Sequence, residues 1–325
     1  MARVAEEAAR LSVQRGLVIA TPGSGARLGQ KLVELLGARA AGLHAEAALH
    51  VPKPVADAGV AAARSTEADG LIAAGGGAAI GLAKIIARDL ALPIIAVPST
   101  YSGSEATPIW GMSEGERKFT GKDGRVLPRT IIYDPDLTLS LPPAVSAASA
   151  MNAIAHCMEG LWVPEGTPYL LALAISATRR FAAFLPRVIA NGRDREAREQ
   201  CLAAAWLSGV VLNGGTGLQH KLAHVLGGLG LPHAETHAII LPHVTKFNLA
   251  AAPDAHDRLV DALDCDPIDW LFALLASLPI PQRLSEVGLD RGKIDFVAGE
   301  VEKLGIKAPR KATAQDVRSL LEHAF

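Results

Sequence analysis

The sequence predicts an α/β domain over residues 1–143 followed by an all-α domain over residues 144–325. Three observations carry this. Short apolar runs alternate with helical patterns as far as Asp134. After Pro142-Pro143 almost every segment repeats apolar residues at helical spacing. The chain is rich in Ala and Leu but only 4% aromatic, which suits helices packed through small side chains.

The elements follow in order. Leu17-Val18-Ile19-Ala20 reads as a strand closed by the Thr21-Pro22-Gly23 turn, and residues 26–36 as a helix. Residues 42–46 read as a second strand and 52–65 as a helix. Gly70-Leu71-Ile72-Ala73-Ala74 is a buried strand running into glycines, followed by a helix over 80–90. Residues 93–98 and 130–134 are further strands. This rhythm predicts a parallel sheet covered by helices on both faces. Beyond the boundary, residues 169–185, 194–212 and 256–278 read as helices, and 313–325 as a last amphipathic one.

Half of the 325 residues are hydrophobic and a fifth are charged, with a net charge of −1. No basic stripe points to nucleic acid, so an anionic ligand has to be attracted locally. Cys157, Cys201 and Cys265 are scattered, an odd set that fits small buried side chains in a reducing cytoplasm. The amphipathic start lacks an apolar signal core, and no apolar run is long enough to span a membrane.

Three constellations can carry chemistry. Gly75-Gly76-Gly77 lies between a strand and a helix, where bare backbone and a helix N-terminus suit a phosphate; a tight structural turn is the plainer reading. Thr100, Ser102 and Ser104 follow the next strand, where hydroxyls meet a ribose or nicotinamide, or else cap a helix. The third is a set of histidines. Asn152 and His156 share a helix face, as do His220 and His224, and His233 and His237 follow. Such a set reads as a metal cage or an acid/base site. His44, His50, His256 and His323 read as surface or packing residues, and His243 as structural.

The blocks GGGAAIGLAK, VPSTYSGSEATPIWG, RVLPRTIIYDPDLTLSLPP, MNAIAHCMEGLW and GLQHKLAHVLGGLGLPHAETHAIILPH occur in order. Together they resemble the iron-containing alcohol dehydrogenase superfamily, and within it the maleylacetate reductase branch. The resemblance implies a dehydroquinate synthase-like fold: an N-terminal dinucleotide-binding α/β domain, a helical catalytic domain and an active site in the cleft between. It implies NAD(P)H-dependent reduction of maleylacetate to 3-oxoadipate in bacterial breakdown of aromatic compounds, by a cytoplasmic homodimer acting on a small anionic dicarboxylate. Gly75, Gly76, Gly77, Thr100, Ser102, Ser104, Lys118 and Thr21 are the expected cofactor residues. No acid ends the first strand, so both NADH and NADPH are expected to work.

In metal-dependent members one Asp and three His hold the ion, at positions matching Asn152, His156, His220 and His233 here. A neutral amide is a weaker ligand than a carboxylate, so no functional metal is expected. Imidazoles then do the work. His156, His220 and His233 are expected to bind anionic oxygens, and His224 or His237 to donate the proton. Lys221, Arg129 or Lys118 is expected to help hold a carboxylate or phosphate. The family also opens with a hairpin that this chain lacks, which would leave a sheet edge uncovered. Two other readings stand beside this one: a metal-dependent alcohol dehydrogenase or carbonyl reductase, and a weakly active nucleotide-binding paralogue.

Overall fold

The computed structural model describes residues 1–115, 117–163, 166–306 and 309–325. The chain divides into two units, Met1–Leu139 and Ser140–Phe325, a division a few residues ahead of the expected one.

In the first unit, strands β1 (Gly16–Ala20), β2 (Ala40–His44), β3 (Gly70–Gly75), β4 (Ile94–Pro98) and β7 (Thr130–Ile131) form one parallel sheet in the order β2-β1-β3-β4-β7. The inner strands β1, β3 and β4 are buried throughout. Both faces of the sheet are covered, so these strands read as unbroken apolar runs. Leu17, Ile19, Leu71, Ala73 and Ile94 pack beneath helices α3 (Lys53–Ser65) and α4 (Gly77–Leu90). Val18, Ala20, Ile72, Ala74, Ile95 and Val97 pack on the other face, against α1 (Val4–Arg10) and α2 (Ser24–Leu36). Successive strand residues point to opposite faces, which sorts them into these two cores.

Two differences from expectation lie here. The last strand is shorter than expected, Thr130–Ile131, with the Ile132 N–H still bonding the Ala96 carbonyl; Tyr133 just beyond donates its hydroxyl to Glu105. The sequence reading also missed an antiparallel hairpin, β5 (Ile109–Glu114) with β6 (Arg117–Lys122). Its strands are half-buried or exposed and carry charges, so they lack the apolar signature of the main sheet.

The second unit is helical. Helix α5 (Pro143–Gly160) is buried from Ser146 to its end and packs against α6 (Pro168–Ala190), α7 (Arg195–Val211) and α9 (His233–Leu249). A further core joins α8 (Leu218–Gly228), α9, α12 (Ile294–Lys303) and α13 (Ala314–Ala324). The helix expected over 256–278 is two: α10 (Pro253–Leu263) and α11 (Pro267–Ser277). Asp264 takes a left-handed conformation at the end of α10. Asp266 then caps α11 by accepting the Ile268 and Asp269 N–H groups, with Pro267 at its first position. Cys265 falls in this break and is exposed, contrary to expectation, whereas Cys157 and Cys201 are buried. Among the described residues no single helix is long and apolar enough to cross a membrane.

Candidate functional site

Two constellations are built, one in each unit. In the first, the carboxyl ends of three strands lie side by side, with Ala20 beside Ala74 and Gly75 beside Pro98. The turns that follow them therefore gather at one edge of the sheet, where open α/β sheets bind ligands. Gly75 has φ +136°, a conformation that favours glycine. Gly76 is the N-cap of α4 and offers no side chain, so the first N–H groups of α4 are left for an incoming anion.

A Cβ on Gly76 would stand 2.9 Å from Thr100 Cγ2 and 3.1 Å from its Oγ1. A Cβ on Gly77 would stand 4.0 Å from Ser102 Oγ. The expected hydroxyls thus border the glycine bend. Ser102 Oγ is buried and has no hydrogen-bond partner within the protein. These features fit the phosphates and ribose of a dinucleotide. Thr21 follows β1 at the same edge, its hydroxyl packed on Gly25 in the first turn of α2. Ser104 is present through its carbonyl, which accepts from Lys84.

Two of the expected cations lie on the hairpin and just ahead of β7. Lys118 is on exposed β6, where it pairs with Ser113 of β5. Burial, and then the nearby Lys118 charge, hold the His50 imidazole below its ordinary value. Arg129 donates its N–H to the Ile94 carbonyl, at the start of β4 and the opposite end of the strand from Pro98.

The sequence reading missed Lys84, which lies inside α4 and is 1% exposed. Its ammonium donates to the carbonyls of Ser104 (2.6 Å), Thr107 (2.8 Å) and Ile109 (2.8 Å). Burial lowers its pKa to about 7, partly opposed by Glu105. Glu105 is itself fully buried and raised by that burial. Lys84 thereby ties the segment after the hydroxyl turn to the helix that opens at the glycine bend. A lysine within a helix reads as a solvent-facing residue, so only the packing reveals it.

In the second unit the histidines converge. The ring centroids of His156 and His220 are 4.9 Å apart, those of His220 and His237 4.6 Å, and those of His233 and His237 4.6 Å. His224 completes the group, 6.0 Å from His233 and 6.5 Å from His220. Five imidazoles from α5, α8 and α9 thus form one continuous cluster. The i,i+4 pairs on α8 and α9 put each helix's two rings on a common face. Asn152 lies one turn before His156 on α5 and is 9% exposed.

Four atoms of this group are buried without a partner in the protein: Asn152 Oδ1, His156 Nδ1, His220 Nε2 and His237 Nε2. Unpaired buried polar atoms are costly, about 1–3 kcal/mol each, and their concentration marks a ligand site. Burial, then the neighbouring imidazoles, hold His156 and His237 well below the ordinary histidine value.

Two groups absent from the sequence expectations orient these rings. Glu159 Oε2 lies 2.5 Å from His220 Nδ1, and its Oε1 accepts the Gln219 N–H at 2.7 Å. Gln219 Nε2 donates to the His237 carbonyl at 2.9 Å and lies 3.2 Å from His237 Nδ1. A carbonyl can only accept, so the Gln219 amide nitrogen faces His237. His237 Nδ1 then accepts, and the proton of the neutral ring sits on Nε2. The signal for Glu159 was its i,i+3 spacing from His156 in His156-Cys157-Met158-Glu159.

Where a divalent ion would favour a carboxylate, the cluster holds the neutral Asn152 amide. Among the described residues no three His, Cys, Asp or Glu side chains are arranged to share one. The engagement of His220 Nδ1 by Glu159 leaves its Nε2 unpartnered.

The buried imidazoles make the fold sensitive to acid. His243, outside the cluster, is lowered to about 4, mainly by burial and then by His323 and Lys246. With His156 and His237 also lowered, the unfolded chain binds more protons than the folded one below the ordinary histidine value. Stability is therefore full above about pH 6.5 and falls as pH drops toward 4. His243 alone accounts for no more than about 3 kcal/mol of that loss. Denaturant midpoints measured across this range should decline with falling pH, and the decline should shrink in His243→Gln.

Comparison with known proteins defines the class. The iron-containing alcohol dehydrogenase family matches residues 1–135, and the C-terminal part of the Fe-containing alcohol dehydrogenase family matches residues 146–325. The chain belongs to this family of oxidoreductases, among its maleylacetate reductase-like members. It is 42% identical to a maleylacetate reductase of Sphingobium indicum, over 99% of this chain and 92% of the relative. It is 42% identical to another from Pseudomonas knackmussii, over 100% and 93%. The crystal structure of maleylacetate reductase from Agrobacterium tumefaciens superposes with TM-score 0.95 at 39% identity, over 100% of this chain and 93% of that one.

Proposed function

We propose that the chain reduces the carbon–carbon double bond of maleylacetate to give 3-oxoadipate, using NADH or NADPH and no metal ion. The observation that carries this reading is the five-imidazole cluster with its unpartnered ring nitrogens. Its relatives named maleylacetate reductase supply the substrate class. The homodimer implied by the resemblance belongs to the same reading.

The reduced nicotinamide, when bound, supplies the hydride. Thr100, Ser102 and the first N–H groups of α4 bind the dinucleotide, with Thr21 at the neighbouring strand end. Hydride addition β to the ketone of maleylacetate places enolate charge on the ketone oxygen, and the α carbon must then take a proton. His156 and His233, with the Asn152 amide nitrogen, receive the anionic oxygens of the substrate, while His220, its Nδ1 turned to Glu159, presents Nε2 as an acceptor beside them.

His237 is held neutral by burial with its proton on Nε2, so it suits hydrogen bonding to the enolate oxygen. With His237 assigned to the enolate oxygen, half-buried His224, beside His220 and His233, is the proton donor in this reading. Half-buried Lys221, beside His220 on α8, is a candidate to hold a carboxylate.

Loss of NADH absorbance on adding freshly prepared maleylacetate tests the reading. Dialysis against a chelator should leave the rate unchanged, and NADPH should also support turnover. Loss of activity on chelation, restored by zinc or iron, would favour a metal-dependent dehydrogenase instead. An NADPH efficiency orders of magnitude below that of NADH would contradict the cofactor reading.

A further inference from the structure

Glu159 is 1% exposed, and a carboxylate at that depth is costly unless its oxygens are taken up. Both are, by groups of one helix. Oε1 accepts the N–H of Gln219 in the first turn of α8, whose own N-cap, Gly217, offers no side chain. Oε2 faces His220 Nδ1 at 2.5 Å. One side chain of α5 thus caps α8 and holds its first histidine. Through Gln219 the same contact reaches α9, where the amide meets His237 Nδ1 and its carbonyl.

We propose that Glu159 is a positioning residue for the imidazole cluster, fixing the proton of His220 on Nδ1 so that its Nε2 is presented as an acceptor and, through Gln219, the His237 Nε2–H as a donor. This rests on the reading of the cluster as the catalytic site. A carboxylate that accepts at both oxygens is what the arrangement requires. A glutamine at this position turns its NH₂ group toward either the Gln219 N–H or the His220 Nδ1–H, donor against donor. The ring then loses its hydrogen bond or changes tautomer. A helix-capping role alone would still be served by the glutamine oxygen.

The test joins kinetics with ¹⁵N NMR of histidine-labelled protein, His220 being assigned by its loss in His220→Gln. In the wild type the His220 proton should reside on Nδ1. In Glu159→Gln it should leave Nδ1. By analogy with the groups that orient metal-bound histidines, kcat should drop by roughly 10–100-fold, with the dissociation constant for NADH unchanged. Glu159→Asp, which keeps the carboxylate, should recover part of the loss.

A wild-type His220 with a bare Nδ1 overturns the proposal, whether or not the variant folds. So does Glu159→Gln with unaltered kcat. The tautomer is read without substrate, so a wild type that fails to turn over maleylacetate defeats the substrate reading and leaves this measurement standing. Normal turnover with a bare Nδ1 defeats the positioning role alone.

Discussion

His237→Ala is expected to lower kcat for maleylacetate by about 10²–10³-fold, the cost of removing one donor to a developing oxyanion. The ring is fully buried, touches two other imidazoles of the cluster and has no partner at Nε2 within the protein. Gln219 occupies Nδ1, so the unpartnered Nε2 of the neutral ring, the nitrogen proposed to meet the substrate, carries the proton. A donor set in advance against enolate charge gives most of its stabilisation in the transition state, and its loss should appear in kcat. Affinity for NADH, proposed to rest on the other unit's glycine bend, should not change. Steady-state kinetics with equilibrium NADH titration separate the two; an unchanged kcat would remove His237 from the mechanism.

Gly76→Ala is expected to act on the cofactor instead. Gly76 has φ −88°, which any residue adopts, so the substitution brings no backbone strain. Its Cβ would meet Thr100 Cγ2 at 2.9 Å and Oγ1 at 3.1 Å. Thr100 is β-branched and stiff about χ1, so the clash displaces the hydroxyl that borders the glycine bend. On the reading that the nucleotide uses this bend, the shifted hydroxyl and the added methyl should raise KM for NADH, by about tenfold for each 1.4 kcal/mol of binding lost. At saturating NADH, kcat and the KM for maleylacetate should stay near wild type. A normal KM for NADH would show that the nucleotide does not use this bend.

The parallel sheet was legible because strands buried on both faces leave apolar runs, as in Leu71-Ile72-Ala73-Ala74. The β5–β6 hairpin was not, since Arg117-Lys118-Phe119-Thr120 has no buried face to declare it. Helical periodicity ran on through Asp264-Cys265-Asp266-Pro267, although an Asp N-cap before a proline was there to mark a new helix. The imidazole cluster was legible in outline because i,i+4 histidines share a face whatever the tertiary packing.

Which nitrogen of each ring faces the cluster was not legible. That depends on Glu159 and Gln219, whose partners lie on other helices. Arg129 shows the reverse limit. Its charge suggested a phosphate contact, but strand register puts its backbone at the far end of β4.

The most direct test of the central claim follows the hydride itself. Maleylacetate is reduced with NADH deuterated at its transferable position, and the product is examined by NMR and mass spectrometry. The account predicts 3-oxoadipate with one deuterium on the carbon β to an intact ketone. Deuterium on a newly formed carbinol carbon, with the double bond retained, would contradict it.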